Sequence, residues 1–170
     1  MRNSVAKRDL HPTLFGSWGK EILYAALAVD GRGLGSYGPV SVELEEKMIA
    51  LRASVLEDNR YVFVTRQKIL AGGAIPPGFR SPWATRSEVG VAKLVTPTTN
   101  SNDHAKLVLS SDGVDRSKDE FMEVHIYGTF NRRAIKRITV LRAPTDPTEA
   151  QRLRDDQTIA ASIGIDWSGP

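Results

Sequence analysis

The sequence predicts an α+β domain with a mostly antiparallel sheet, and three observations carry that expectation. Residues 121–128 alternate almost strictly, with β-branched and aromatic types dominating, as a strand does. Shorter runs at 40–44, 61–64 and 138–141 have the same character. Helix signals stand before and after them, at 18–29 and at Asp146-Pro147-Thr148-Glu149. A chain of 170 residues with 41% hydrophobic content reads as one domain, 1–170, with an ordinary core.

In chain order, residues 1–16 read as a frayed start. Ile22, Leu23, Ala26 and Leu27 recur at helical spacing, which predicts a helix over 18–29. The glycine-rich run 30–35 breaks it; placed between a helix and a strand, it lacks the strand–turn–helix setting of a dinucleotide fingerprint. A strand at 40–44 leads to a helical turn at 45–50, and 61–64 reads as a strand. Ile75-Pro76-Pro77-Gly78 is a loop, since two prolines fix φ and remove donors. Residues 88–95 and 105–110 each suit helix or strand, and 96–103 and 111–120 are polar loops. After Gly128, Asn131 can cap a short helix before the strand at 138–141. Asp146, with Pro147 at the first helical position and Glu149 in the first turn, starts a final helix, and 166–170 read as frayed.

Composition excludes several classes. There is no run of roughly 18 apolar residues, so no membrane segment is expected. Without cysteine there are no disulfides and no thiolate metal sites. His11, His104 and His125 stand far apart, which argues against a histidine zinc site. The net charge is only +3, from 23 Lys and Arg against 20 Asp and Glu. Arg132, Arg133, Lys136, Arg137 and Arg142 nevertheless make a local basic stretch suited to phosphates or to a solvated face.

Alternation along 121–128 puts Glu123, His125 and Tyr127 on one face and Met122, Val124 and Ile126 on the other. A carboxylate, an imidazole and a phenol so placed can reach one small molecule. His and Tyr are costly choices for a merely solvated face, and Gly128 permits a positive φ where the strand ends. Trp83 reads as a loop tryptophan over the core and His104 as a solvated loop residue.

Two stretches resemble a known family. Ser36-Tyr37-Gly38-Pro39-Val40-Ser41-Val42-Glu43-Leu44, then Arg52-Ala53-Ser54, is similar to the Y-G-x-V-x-V-x-L…R-x-[ST] stretch of bacterial ADP-ribosyltransferase-like toxin domains. Such domains are fused to phage head-morphogenesis proteins or end polymorphic toxins. Met122-Glu123-Val124-His125-Ile126-Tyr127-Gly128 resembles that family's E-x-Q-x-H-G strand, and a short helix and strand follow in both.

The resemblance implies a split-sheet ADP-ribosyltransferase fold and transfer of ADP-ribose from NAD to a macromolecular acceptor, protein or nucleic acid. It implies a domain delivered within a larger secreted toxin, acting in the target-cell cytoplasm and held by a cognate immunity protein. Glu123 is then the catalytic carboxylate that steadies the oxocarbenium-like ribose. His125 orients the ribose or acts as a base on the acceptor. Arg52, with Arg66 second, holds the NAD pyrophosphate, Ser54 bridges substrate or orients Glu123, and Tyr37 or Tyr127 stacks on nicotinamide. The chain departs from the family pattern at His125 and Tyr127, where relatives have Gln and His. Leu56-Glu57-Asp58-Asn59 lacks the serine of the relatives' acidic-serine pair. Phe121 stands two residues before Glu123, where arginine-directed enzymes carry Glu or Gln, so arginine is not the expected acceptor. In a second register His125 takes the catalytic place and Glu123 the upstream one. An NAD glycohydrolase, a nuclease toxin using Glu123, His125 and the basic stretch, and a non-catalytic binding module are the alternatives.

Overall fold

The computed structural model describes residues 14–169 apart from 30, 32, 71 and 96–99. Most of the fraying expected over 1–16 therefore lies outside the described residues. Among the described residues, three antiparallel or mixed sheets and five complete α-helices make the α+β architecture. The larger sheet has four strands, β1 (Ile22–Ala26), β3 (Ala53–Leu56), β4 (Arg80–Pro82) and β7 (Glu123–Tyr127), in the order β1-β7-β3-β4 with every neighbour antiparallel. A second sheet orders β2 (Val40–Leu44), β8 (Ile135–Val140) and β9 (Asp166–Ser168) as β2-β8-β9, the last pair parallel. A short hairpin joins β5 (Leu109–Ser110) to β6 (Glu120–Phe121).

The core lies on one face of the four-stranded sheet. Val124 and Ile126 of β7 stand beside Val55 and Ala53 of β3 and Ala25 and Leu23 of β1. Trp83, in the turn after β4, and Val89, on α3 (Arg86–Leu94), close over them. Each such side chain removed from water contributes about 1.5–3 kcal/mol. Trp83 is in this core, its indole N–H donating to Glu46 on α1 (Glu46–Ile49), while the exposed His104 begins α4 (His104–Val108) rather than lying in a loop.

Three sequence expectations are corrected. The stretch 18–29 is a 3₁₀ turn (Gly16–Glu21) followed by β1. Its apolar residues fit period 2 as well as 3.6, and alternate positions Leu23, Ala25 and Leu27 pack on the core. The glycine run thus follows a strand, and it leads through a 3₁₀ turn (Gly35–Tyr37) to β2, so no helix N-terminus faces it. Residues 61–64, expected as a strand, lie in α2 (Arg60–Gln67). There the Asn59 side chain caps the helix by accepting from the Val62 N–H at 3.0 Å, which overrides the β propensity of Tyr-Val-Phe-Val. Residues 166–168 are not frayed but form β9, paired parallel with β8.

Other elements match. Residues 88–95 resolve as helix, 105–110 as the end of α4 and β5, and Asn131 caps a 3₁₀ turn (Arg132–Ala134). Gly128 takes φ +75° and donates its N–H to Glu21 at 2.8 Å, closing the end of β7 against the turn before β1. The last helix, α5 (Pro147–Ser162), starts at Asp146, whose carboxylate accepts from the Glu149 N–H at 2.9 Å. Glu149 in turn accepts from the Thr145 N–H and from Arg142, whose hydrogen bonds hold its carboxyl down at about 2. Asp146→Ala should cost about 1 kcal/mol in urea unfolding, and an unchanged midpoint would show that this cap contributes nothing.

Candidate functional site

β1 and β3 pair with the two edges of β7, and side chains packed on both faces bury its residues from Glu123 to Ile126. On the face away from the core, His125 stands beside Tyr24 of β1 and Ser54 of β3, and Glu123 beside Ala26 and Leu56. Glu123 and His125 are only 4% and 2% exposed, so the face that alternation marked as polar is sealed rather than open to solvent. Burying a carboxylate is costly unless its charge is met. Here His125 Nε2 lies 2.6 Å from Glu123 Oε1, and the first residue of α2 brings the rest. The Arg60 backbone N–H donates to Oε2 at 3.4 Å, and its guanidinium Nη1 lies 3.6 Å from Oε1.

Aromatic rings and a second guanidinium cover the pair. The Arg60 guanidinium sits 3.6 Å over the Tyr24 ring, a cation–π contact that holds the charge beside Glu123. Tyr24 and Phe15 both meet the His125 ring edge-on, at 5.5 and 4.7 Å. Arg80 lies 4.8 Å over Phe15 and donates to Ser54 Oγ from Nε and Nη2, at 3.0 and 2.9 Å.

Burial pushes the His125 imidazole below its ordinary range, against the opposing pull of the Glu123 hydrogen bond. The ring is therefore neutral near pH 7, with Nε2–H donating to the carboxylate and Nδ1 left bare. Burial raises the Tyr24 phenol, and partial burial lowers Arg80, which stays charged. Next to this network Asp119, 1% exposed, accepts from Ser36 Oγ through Oδ2, while its backbone carbonyl accepts from Asn59 Nδ2. The Tyr37 phenol is raised by burial and then by the charges of Asp119 and Glu123. Three buried polar atoms around Glu123 have no hydrogen-bond partner: Arg60 Nη1, His125 Nδ1 and Asp119 Oδ1.

Of the residues singled out by sequence, Glu123, His125 and Ser54 come together. Arg52 does not join them: Nη1 donates to the Tyr127 carbonyl at 2.6 Å and Nε to the Met48 carbonyl at 3.2 Å. Tyr127 is half-exposed at the opposite end of β7 from Glu123, edge-on to Trp18. Arg66 is taken up by Glu57 and Asp58. Tyr37 packs against Phe121 under the Arg116 guanidinium, close enough to Glu123 to feel its charge.

Arg60, Tyr24, Arg80 and Asp119 were missed. A reading of Asn59 as an N-cap would have put Arg60 in a first helical turn, and a strand at 22–26 would have put Tyr24 beside the site. Three of the five cations of the basic stretch are paired, Lys136 and Arg137 sharing Glu43 and Arg142 bonding Glu149. Among the described residues no group of three or more His, Cys, Asp or Glu is placed to hold a metal, and no helix is long and apolar enough to cross a membrane. No family model matches this chain, and neither a curated protein nor a solved structure does.

A histidine whose folded pKa is depressed binds its proton more readily in the unfolded chain. Its contribution to stability is complete above the unfolded value of about 6.5 and is lost as the pH falls toward the folded one. Urea midpoints should therefore drop on acidification from pH 7.5 to 5.5, and His125→Gln should flatten that slope. Parallel slopes would mean that His125 is not held neutral.

Proposed function

We infer that the chain is a toxin domain that transfers ADP-ribose from NAD to a macromolecular acceptor other than arginine. The reading rests on one observation: a carboxylate fixed on a central strand, with a guanidinium and aromatic rings against it. Cleavage of the nicotinamide–ribose bond leaves its electron pair on the departing nicotinamide and positive charge on the ribose. The Glu123 carboxylate would steady that charge, and the hydrogen bond from His125 keeps it oriented.

The remaining roles are redistributed. Arg52 and Arg66 are engaged elsewhere, so Arg60 becomes the residue that would hold the pyrophosphate, since its Nη1, 3.6 Å from Glu123, makes no hydrogen bond and can donate to a phosphate oxygen. Tyr24, already stacked under a cation, offers a face for the nicotinamide ring. Asp119 Oδ1 is an acceptor for a ribose or acceptor hydroxyl. Substrate enters by displacing Phe15 and the Arg80 guanidinium, which leaves Arg60 and Tyr24 in place to bind it. In transfer, the C1′–nitrogen bond breaks, C1′ bonds to the acceptor, and the acceptor gives up a proton. If water takes that place, the same site is an NAD glycohydrolase. Pairing within the basic stretch weakens the nuclease reading, since those charges are not free for a nucleic-acid backbone. Delivery within a larger toxin, and an immunity protein covering this face, belong to the same proposal.

The test is nicotinamide release from NAD by the purified domain, with and without bacterial lysate. Glu123→Gln should lower release by about 100-fold or more, and Arg60→Gln should raise the apparent KM for NAD, with circular dichroism confirming that both variants fold. Stimulation by lysate assigns transfer, and equal release without it assigns hydrolysis. Wild-type rates in a folded Glu123→Gln would remove Glu123 from the chemistry.

A further inference from the structure

We propose that a hollow between the start of β8 and the end of α5 is a second ligand site, for a small molecule that carries a phosphate monoester. Its volume is about 410 Å³, and Arg132, Arg133, Ile135, Gly164 and Ile165 line it. That size suits a compact ligand. It belongs to the three-stranded sheet, whereas Glu123 lies on the four-stranded one.

The charge balance around the hollow points to an anion. Lys136, Arg137 and Arg142, the other cations of the stretch, are all paired with Glu43 or Glu149. Arg132 and Arg133 are exposed and have no acidic partner among the described residues, and no carboxylate lines the hollow. Two adjacent like charges held without a counterion are a natural seat for a doubly charged phosphate, which guanidinium groups grip through paired N–H donors.

The backbone holds this pair in place. Asn131 accepts from the Arg133 N–H at 2.9 Å, Ala134 beside them is buried, and its carbonyl accepts from the Glu45 N–H at 2.8 Å. Across the hollow, the chain leaves α5 through Gly164 at φ +66°. The Arg132 guanidinium stands beside this turn, its Nη2 within ordinary contact, 3.6 Å, of where a Cβ on Gly164 would lie. The carbonyls of Ile159, Ala160 and Ala161 already accept from the N–H groups of Ile163, Gly164 and Ile165. Those carbonyls are satisfied by the backbone and do not take up the donors of Arg132. Ile135 and Ile165 add apolar wall for the body of the ligand. With the flanking cations paired to Glu43 and Glu149, fewer free charges are left than a nucleic-acid strand would engage.

The experiment is calorimetric titration of the full chain with AMP, adenosine, inorganic phosphate and a short single-stranded RNA. AMP should bind, with adenosine weaker by at least about tenfold. Arg132→Gln with Arg133→Gln should weaken AMP by a similar factor, and these exposed substitutions should leave the thermal midpoint in place. Glu123→Gln should leave AMP binding unchanged, which separates this site from the NAD reading. The proposal is overturned if wild type binds neither AMP nor phosphate, or if adenosine equals AMP. It is overturned equally if the arginine variant binds as wild type does, if Glu123→Gln abolishes binding, or if RNA alone binds.

Discussion

The fold is organised around a buried carboxylate. Glu123 opens β7, an inner strand of the four-stranded sheet, with almost no exposure, and an isolated charge there would be prohibitive. Its environment answers with a neutral imidazole, a backbone N–H and a guanidinium. Each has a structural requirement. Arg60 must open α2, so Asn59 must cap it, and Asn59 also ties the helix start to Asp119. His125 must be covered, which Tyr24 and Phe15 do, and Arg80 then spans Phe15 and Ser54. Five separate chain segments thus converge on one strand.

The same convergence leaves the network incomplete. Arg60 Nη1, His125 Nδ1 and Asp119 Oδ1 are buried without hydrogen-bond partners, although buried polar groups are nearly always satisfied. Two donor or acceptor nitrogens and a carboxylate oxygen around a charged centre are what a polar substrate would complete. The opposite end of β7 differs. There Arg52 locks the chain beyond the strand through the Tyr127 carbonyl, and Gly128 closes against Glu21. That end reads as architecture, so the strand divides into a half with a buried charged network and a half closed by backbone contacts.

Much of this was legible in the sequence, in a particular way. Alternation over 121–128 located the strand and put Glu123 and His125 on one face. The pattern could not show that β7 is central, because a strand buried on both sides still alternates when one of its faces is polar. Residues 22–27 fit two periods, and only their pairing with β7 decides for the strand. Residues 61–64 carry β-formers, yet one hydrogen bond from Asn59 makes them helix. The two errors hid Tyr24 and Arg60, the neighbours that give Glu123 its chemistry. Arg52 and Arg66 were chosen by motif, but nearby carbonyls and carboxylates claim them, and such competition shows only in three dimensions.

The central claim is that Glu123 and His125 form a buried, oriented pair with the imidazole neutral, and nitrogen NMR of His125 tests it most directly. At neutral pH the account predicts a proton on Nε2, a bare Nδ1, and titration only below the ordinary histidine range. An imidazolium at pH 7, or a proton on Nδ1 with Nε2 bare, would contradict it.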